Sequence, residues 1–168
     1  MTAAKQRAAL LVLAAIATAS AAGGVRADPH QAKQGDITIS GRMVRTSFGH
    51  APNSAAYMVI SNSSPAPDKL IAARCACAAS VGIHETEDMV GMSTMKSAGP
   101  IVIPAHGQVI FRSGGLHLML TGLKEPLVEG GEQAITLVFQ RAGTMKVSFH
   151  IRAQIPVAAM PPMPGMGH

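Results

Sequence analysis

One short segment of the chain combines two kinds of side chain that bind soft metal ions. It reads Leu116-His117-Leu118-Met119-Leu120. Successive side chains of a strand point to opposite faces, so the three leucines would share one face, leaving His117 and Met119 on the other. The segment is therefore predicted to present an imidazole and a thioether side by side, pointing away from a leucine core face.

A second histidine, His84, has a similar setting. In Val81-Gly82-Ile83-His84 the two branched apolar residues face one way and the imidazole faces the other. Three methionines follow at Met89, Met92 and Met95. Two imidazoles with one or two thioethers form a soft, neutral ligand set that suits Cu(I) better than Zn²⁺, Mg²⁺ or Ca²⁺. Because these imidazoles bind only when neutral, we expect binding to weaken below about pH 6.

Each of these residues also has an ordinary structural explanation. A single histidine on a strand is usually a surface residue, and methionine commonly fills gaps in cores. The three-residue spacing of Met89, Met92 and Met95 is also that of one buried edge of a helical turn. The pair of His117 and Met119 is harder to explain as packing, because its leucine neighbours already supply a core face.

The elements that must position these side chains are predicted to be short strands. Gly, Pro or Asn separates most of the apolar segments, and no segment has a long helical period. Many closely spaced strands indicate an antiparallel sandwich or barrel. The predicted strands are residues 36–46, 55–62, 69–77, 80–87, 100–104, 108–112, 116–121, 134–140 and 145–153.

The two ends of the chain are predicted to lie outside this domain. Lys5 and Arg7 precede a short apolar stretch, which is typical of an export signal. We expect cleavage after Ala27, although cleavage after Ala22 also fits. Because no Cys lies near either position, we expect no lipid anchor. The expected organisation is a signal peptide over residues 1–27, a flexible start over 28–34, one domain over 35–153 and a flexible tail over 154–168.

Composition excludes several classes of function. The 168 residues suit a single domain. Removing the predicted signal leaves 11 basic against 9 acidic residues, and the chain has four Phe, one Tyr and no Trp, so we expect no nucleic-acid binding. No apolar run after the signal reaches the length of a membrane span. The absence of a Ser-His-acid set or a catalytic carboxylate pair predicts that the protein is not an enzyme.

The spacing of four residues resembles the signature of a known family. His84, Met95, His117 and Met119 are separated by ten, twenty-one and one residue. This pattern is similar to that of the periplasmic copper chaperones of the PCu(A)C type, and the resemblance covers about residues 35–152. The surrounding segments that match are His84-Glu85-Thr86, Ile103-Pro104-Ala105, Gly114-Gly115 and Leu120-Thr121-Gly122-Leu123.

The resemblance implies a cupredoxin-like antiparallel Greek-key β-sandwich that binds one Cu(I) through those four residues. It implies a periplasmic protein that delivers copper to the copper-centre subunit of cytochrome c oxidase, alongside a Sco-type thiol protein. Met89 and Met92 fall outside the family's ligand set, so we interpret them as packing residues or weak alternative sulfurs.

Cys75 and Cys77 depart from the family pattern. On a strand their Cα atoms would be about 6.6 Å apart, near the upper limit for a disulfide. They are interpreted either as two small buried residues of a sheet or as a redox or auxiliary copper pair.

The tail offers a possible secondary copper site. In a polyproline II conformation, Met160, Met163 and Met166 would follow one edge, with His168 beyond them. Tails of this kind in the resembled family suggest a second copper ion, as Cu(II). The alternative is an inert solvated tail.

Two other functions remain open from the sequence. A blue-copper electron-transfer protein needs a Cys ligand beside two His and a weak axial Met. Cys75 and Cys77 both precede His84 and lack the closely spaced Cys-His-Met run of such a loop. A copper-independent exported binding module would use the sandwich only to display loops.

Overall fold

The fold is all-β and is described by a computed structural model, which covers residues 31–47, 51–89 and 92–153. Those residues form strands and turns without a helix, so none of their elements is a helix that could cross a membrane. The strands are β1 (Ala32–Gln34), β2 (Ile37–Arg45), β3 (Asn53–Asn62), β4 (Asp68–Arg74), β5 (Ala78–Met89), β6 (Met92–Ser97), β7 (Ile101–Ile103), β8 (Gly107–Phe111), β9 (Leu116–Leu123), β10 (Glu132–Phe139) and β11 (Gly143–Arg152).

The strands form one hydrogen-bonded path in the order β6-β5-β9-β3-β2-β11-β10-β4-β7, with β1 added to β2 and β8 added to β3. The pairs are antiparallel except β11 with β2, which run parallel over three residue pairs. The expected all-β, cupredoxin-like class is confirmed, but the sheet is mixed rather than purely antiparallel. β2 lies between β3, its antiparallel neighbour, and β11, the last strand of the domain.

A single core fills the space inside this sheet. The alternation predicted for β9 is confirmed, because Leu118 and Leu120 are fully buried in the core. Ile83 on β5 pairs with Leu118 and is buried beside it. Residues of β5 and β9 that alternate with these therefore lie on the opposite face of the sheet. This face is the one predicted to carry the imidazoles and thioethers.

Two strands were not among those predicted from the sequence. The strand β1 occupies part of the start that was expected to be flexible, because it pairs with residues 37–39 of β2. The strand β6 was not predicted, since all six of its residues are exposed and it has no apolar alternation. The Met92–Met95 spacing therefore does not mark a buried helical edge, and Met92 is 73% exposed.

The cysteines lie in a turn rather than in a strand. The strand β4 ends at Arg74, three residues before the predicted end, and Cys75 and Cys77 form a disulfide in the turn that leads into β5. The turn brings their Cα atoms to 5.1 Å, closer than the extended chain would allow. Both residues are half-buried, so the interpretation as buried residues of a sheet is wrong.

A buried carboxylate holds the edge of the sheet that lies opposite β6. Asp68 on β4 accepts backbone N–H bonds from Lys69, Arg141 and Ala142 at 2.7, 2.8 and 2.9 Å. Burial by itself would raise the pKa of Asp68, but these three amides and the charge of Arg141 outweigh it, so the pKa lies below its usual value. Asp68 thus ties β4 to the turn between β10 and β11.

Candidate metal centre

The four predicted ligands lie on one face of three neighbouring strands. His117 and Met119 alternate with the buried leucines of β9, and His84 on β5 is the direct cross-strand partner of His117. On β6, Met95 is the partner of Thr86, which lies two residues after His84 and hence on the same face. The register of β6, β5 and β9 therefore gathers residues that are up to 35 positions apart in the sequence.

The two imidazoles are close enough to bind one ion. The ring centroids of His84 and His117 are 6.1 Å apart, and the ring planes are inclined by 37°. Metal–nitrogen bonds of about 2.1 Å put the centroids of two rings bound to the same ion at most about 6.4 Å apart. The observed separation falls within that limit, so the distance between the two rings permits a shared ion.

The fold selects the nitrogen that His117 offers. Its Nδ1 lies 2.9 Å from the carbonyl oxygen of Gly115 and donates to it in the neutral ring. That tautomer leaves the lone pair of Nε2 free for a metal ion. The same Gly115 oxygen also accepts the backbone N–H of Thr86 at 3.2 Å. The turn before β9, in which Gly114 has φ of 73°, thus orients the imidazole as well as reversing the chain.

A glycine makes room for the other imidazole. The ring of His84 lies over Gly82, where a Cβ atom would stand only 2.7 Å from His84 Nε2. Gly82 is also the cross-strand partner of Met119, so this ring leans toward the position of the methionine on β9. Sequence reasoning did not find the role of Gly82. A glycine two residues before a histidine on the same strand face was the only available signal.

The methionines open the centre to solvent. A cleft of about 320 Å³ is lined by Met95, His117 and Met119, together with Tyr57 and Thr86. Met119 is half-buried and Met95 is 51% exposed. An ion held here would have its imidazole side against the sheet and one thioether at the surface.

The back of the β5–β6 hairpin is polar. Lys96 donates a hydrogen bond to the carboxylate of Glu87, which raises the pKa of Lys96. Met92 lies three residues from Met95 and therefore on the opposite face of β6, so it points away from the two histidines. The side chain of Met89 lies outside the described residues. Met92 is thus separated from the candidate centre, although its type and spacing suggested an alternative sulfur.

The donor set of the centre is neutral. Within the described residues, no group of three or more His, Cys, Asp and Glu side chains is placed to hold a metal. The arrangement of two imidazoles with two thioethers suits Cu(I), which accepts sulfur donors and low coordination numbers. The tail residues Met160, Met163, Met166 and His168 lie outside the described residues.

The cysteines are remote from the centre. Cys77 precedes β5, and His84 lies six residue steps, about 20 Å, along the strand from Ala78. Cys75 and Cys77 are joined to each other, and the described residues contain no free cysteine. A blue-copper centre needs a Cys thiolate next to its histidines, and this arrangement does not supply one.

Comparison with known proteins agrees with this arrangement of strands. A family model described as "Putative lipoprotein LpqE-like" matches residues 37–151. The chain belongs to the LpqE-like family. A relative from Leifsonia xyli subsp. xyli, named "Putative lipoprotein Lxx21020", is 29% identical over 130 residues, which are 77% of this chain and 73% of the relative.

Solved structures similar to this LpqE-like chain include two with copper in their descriptions. The copper-bound PCuAC domain from PmoF2 is 26% identical with a TM-score of 0.63, over 74% of this chain and 99% of that domain. The Cu(I) form of DR1885 from Deinococcus radiodurans is 31% identical with a TM-score of 0.58, over 76% of this chain and 83% of that protein. The predicted resemblance to PCu(A)C proteins is thereby confirmed.

Proposed function

We propose that this protein is a copper chaperone that binds one Cu(I) through His84, Met95, His117 and Met119. The observation that carries the proposal is that these four residues lie on one face of β6, β5 and β9, with the two rings 6.1 Å apart. The similarity to a copper-bound PCuAC domain and to the Cu(I) form of DR1885 supports copper as the metal.

The ligand chemistry suits transfer rather than permanent storage. Four neutral ligands leave the positive charge of Cu(I) uncompensated, and the thioether of Met95 is exposed. An acceptor that offers thiolates supplies softer, charged ligands and so binds the ion more strongly. The protein therefore binds copper in competition with solvent, and gives it up to a thiolate site.

The experiment that tests the ligand set combines two measurements on the Cu(I)-loaded protein, with the Cys75–Cys77 disulfide kept intact. X-ray absorption of the Cu(I)-loaded domain is expected to report two nitrogen and two sulfur neighbours. A competition titration with a chromophoric Cu(I) chelator is expected to give one site in residues 28–153. A spectrum with three nitrogen or oxygen neighbours and no sulfur, or no retained copper, contradicts the proposed ligand set.

The proposed recipients are the copper-centre subunit of cytochrome c oxidase and a Sco-type thiol protein, as the family resemblance implies. The Cu(I)-loaded protein is mixed with the soluble copper-centre domain in its reduced, apo form. Copper is expected to move to that domain, as metal analysis of the separated proteins will show. A matched acceptor with its cysteines replaced by serine is expected to receive none. Retention of the copper by the donor would contradict the proposal that the copper-centre subunit is a recipient.

Two further parts of the proposal concern the ends of the chain. An export signal over residues 1–27 and delivery to the periplasm predict a mature protein that begins at Asp28, which intact-mass measurement of the exported protein will check. Met160, Met163, Met166 and His168 are proposed to hold a second copper as Cu(II). Truncation after Pro156 is expected to lower the copper stoichiometry and to leave the Cu(I) affinity unchanged. An unchanged stoichiometry contradicts the tail site.

A further inference from the structure

The Cys75–Cys77 disulfide lies in the turn before β5, at the end of that strand far from the candidate metal centre. About 20 Å of extended strand separates this turn from His84. Chemistry at the cysteines therefore leaves the four proposed copper ligands untouched, and needs an explanation of its own.

A structural role explains this disulfide poorly. The bond closes a loop with one residue between the cysteines, and the stabilisation from a cross-link is smallest for the shortest loops. Backbone hydrogen bonds already hold the turn. The N–H of Ala78 donates to the oxygen of Cys75 at 3.4 Å, and the N–H of Lys124 donates to the oxygen of Cys77 at 2.9 Å. The fold can therefore keep this turn without the covalent bond.

The two sulfur-bearing residues differ in access. Cys77 lines an open cleft of about 420 Å³, together with Lys124, Val128 and Glu132. Cys75 is directed toward β10, where its Sγ lies 3.4 Å from the oxygen of Ala134. A thiolate that enters the cleft therefore meets Cys77 first.

Sγ of Cys75 accepts a hydrogen bond, which is a feature of a good leaving group. The backbone N–H of Cys77 donates to Sγ of Cys75 at 3.2 Å. A hydrogen bond to the charged form stabilises a thiolate, and a stabilised thiolate leaves faster in thiol–disulfide exchange. Lys124 adds a positive charge on the cleft, while Glu125 and Glu132 add negative charges.

We propose that Cys75 and Cys77 are a redox-active pair that exchanges electrons with an exported protein carrying a dithiol. A thiolate of that partner attacks Sγ of Cys77, the bond between the two cysteines breaks, and Cys75 leaves as a thiolate. The second thiol of the partner loses its proton and attacks the partner's own sulfur in the mixed disulfide, which releases Cys77. Two electrons pass from the partner's dithiol to the pair, and two protons complete the two thiols.

The first experiment uses the copper-free protein and glutathione as the probe thiol. The protein is equilibrated without oxygen at rising ratios of reduced to oxidised glutathione, quenched with acid and labelled with a maleimide. Mass spectrometry is expected to show gain of two labels, reversed when the ratio is lowered. Structural disulfides of exported proteins resist glutathione. A pair that stays oxidised in glutathione and opens only with a phosphine overturns the proposal, as do two free thiols in the air-purified protein.

The second experiment tests which sulfur is attacked. Cys75→Ser retains Cys77 on the cleft, and Cys77→Ser retains Cys75 on the inner side. The first variant is expected to react several-fold faster with an aromatic disulfide reagent. Equal rates, or the reverse order, overturn the assignment of Cys77. An unchanged circular dichroism spectrum and melting temperature of both variants report that the domain is intact, and the glutathione titration of the unmodified chain needs no variant.

Discussion

The imidazole and thioether sides of the candidate metal centre differ in how firmly the fold holds them. His117 is 4% exposed on an inner strand and has its Nδ1 committed to Gly115. Met95 is 51% exposed on β6, an edge strand whose six residues are all exposed. One side is pre-organised by packing and hydrogen bonds, while the other is open to solvent. We expect copper to enter and leave on the sulfur side.

The largest effect on Cu(I) affinity is expected on the imidazole side of the centre. His117→Ala removes a ligand whose orientation is already fixed. The Cu(I) affinity should therefore fall by more than about 100-fold, which exceeds the usual loss when a residue that only hydrogen-bonds a metal ligand is replaced. A chelator competition titration measures the loss. His150→Ala is the control, because Nδ1 of His150 lies 3.2 Å from the carboxylate of Glu132 on β10 and not beside the four proposed ligands, and it should leave the affinity unchanged. A His117→Ala affinity within a few-fold of the original would contradict the assignment.

A smaller effect is expected from the open side. Met95→Ala should weaken Cu(I) binding about tenfold, or about 1.4 kcal/mol, because an exposed thioether is partly replaceable by solvent. It should also speed transfer of copper to a competing chelator, as stopped-flow absorbance will show. Met92→Ala is the matched control on the same strand with the opposite orientation. Equal losses of Cu(I) affinity in the two variants would contradict the assignment of Met95, rather than Met92, as the ligand on β6.

Gly82→Ala tests whether space beside His84 matters. The added Cβ would stand 2.7 Å from His84 Nε2, so the ring must turn away from its present position. We expect a several-fold loss of Cu(I) affinity with little change in thermal stability. In a His84→Ala background the same substitution should have no further effect, since the clash is then absent. Additive losses would show that Gly82 acts by another route.

The smallest effect on copper is expected at the far edge of the sheet. Asp68→Asn should leave the Cu(I) affinity unchanged but lower the free energy of unfolding by about 2 kcal/mol near neutral pH, because buried amides lose a charged acceptor. The pKa of Asp68 is lowered by folding, so its stabilisation is complete above the unfolded value of about 3.9 and is lost as the pH falls through the folded value.

Urea unfolding at several pH values checks the Asp68 prediction. The difference between the original protein and Asp68→Asn should shrink below about pH 4. A difference that stays constant with pH would show that the stability lost in Asp68→Asn does not depend on the charge of the carboxylate. A change in copper affinity would instead couple this edge to the metal centre.

The sequence predicted the ligands on β9 better than the ligand on β6. Alternation in Leu116–Leu120 was enough to put His117 and Met119 on one face, because leucine burial fixes the register of a strand. Met95 could be assigned only through family spacing, since the exposed strand β6 has no apolar pattern that distinguishes Met95 from Met92.

Other features depended on three-dimensional proximity. The role of Gly82 requires the position of the His84 ring, and the hydrogen bond from His117 to Gly115 requires the turn geometry. The cysteine turn was predicted as strand because apolar residues precede it without a Gly or Pro to mark the end of β4. The parallel pairing of β11 with β2 joins the two ends of the domain, which local patterns cannot reveal.

The carbonyl oxygen of Gly115 accepts two hydrogen bonds, one from the backbone N–H of Thr86 on β5 and one from Nδ1 of His117 on β9. A carbonyl oxygen has two lone pairs, so both are occupied and little capacity remains for a competing water molecule. In the neutral ring, the proton is thereby held on Nδ1. An ion that meets this tautomer finds the lone pair of Nε2 directed away from Gly115, so binding needs no change of tautomer.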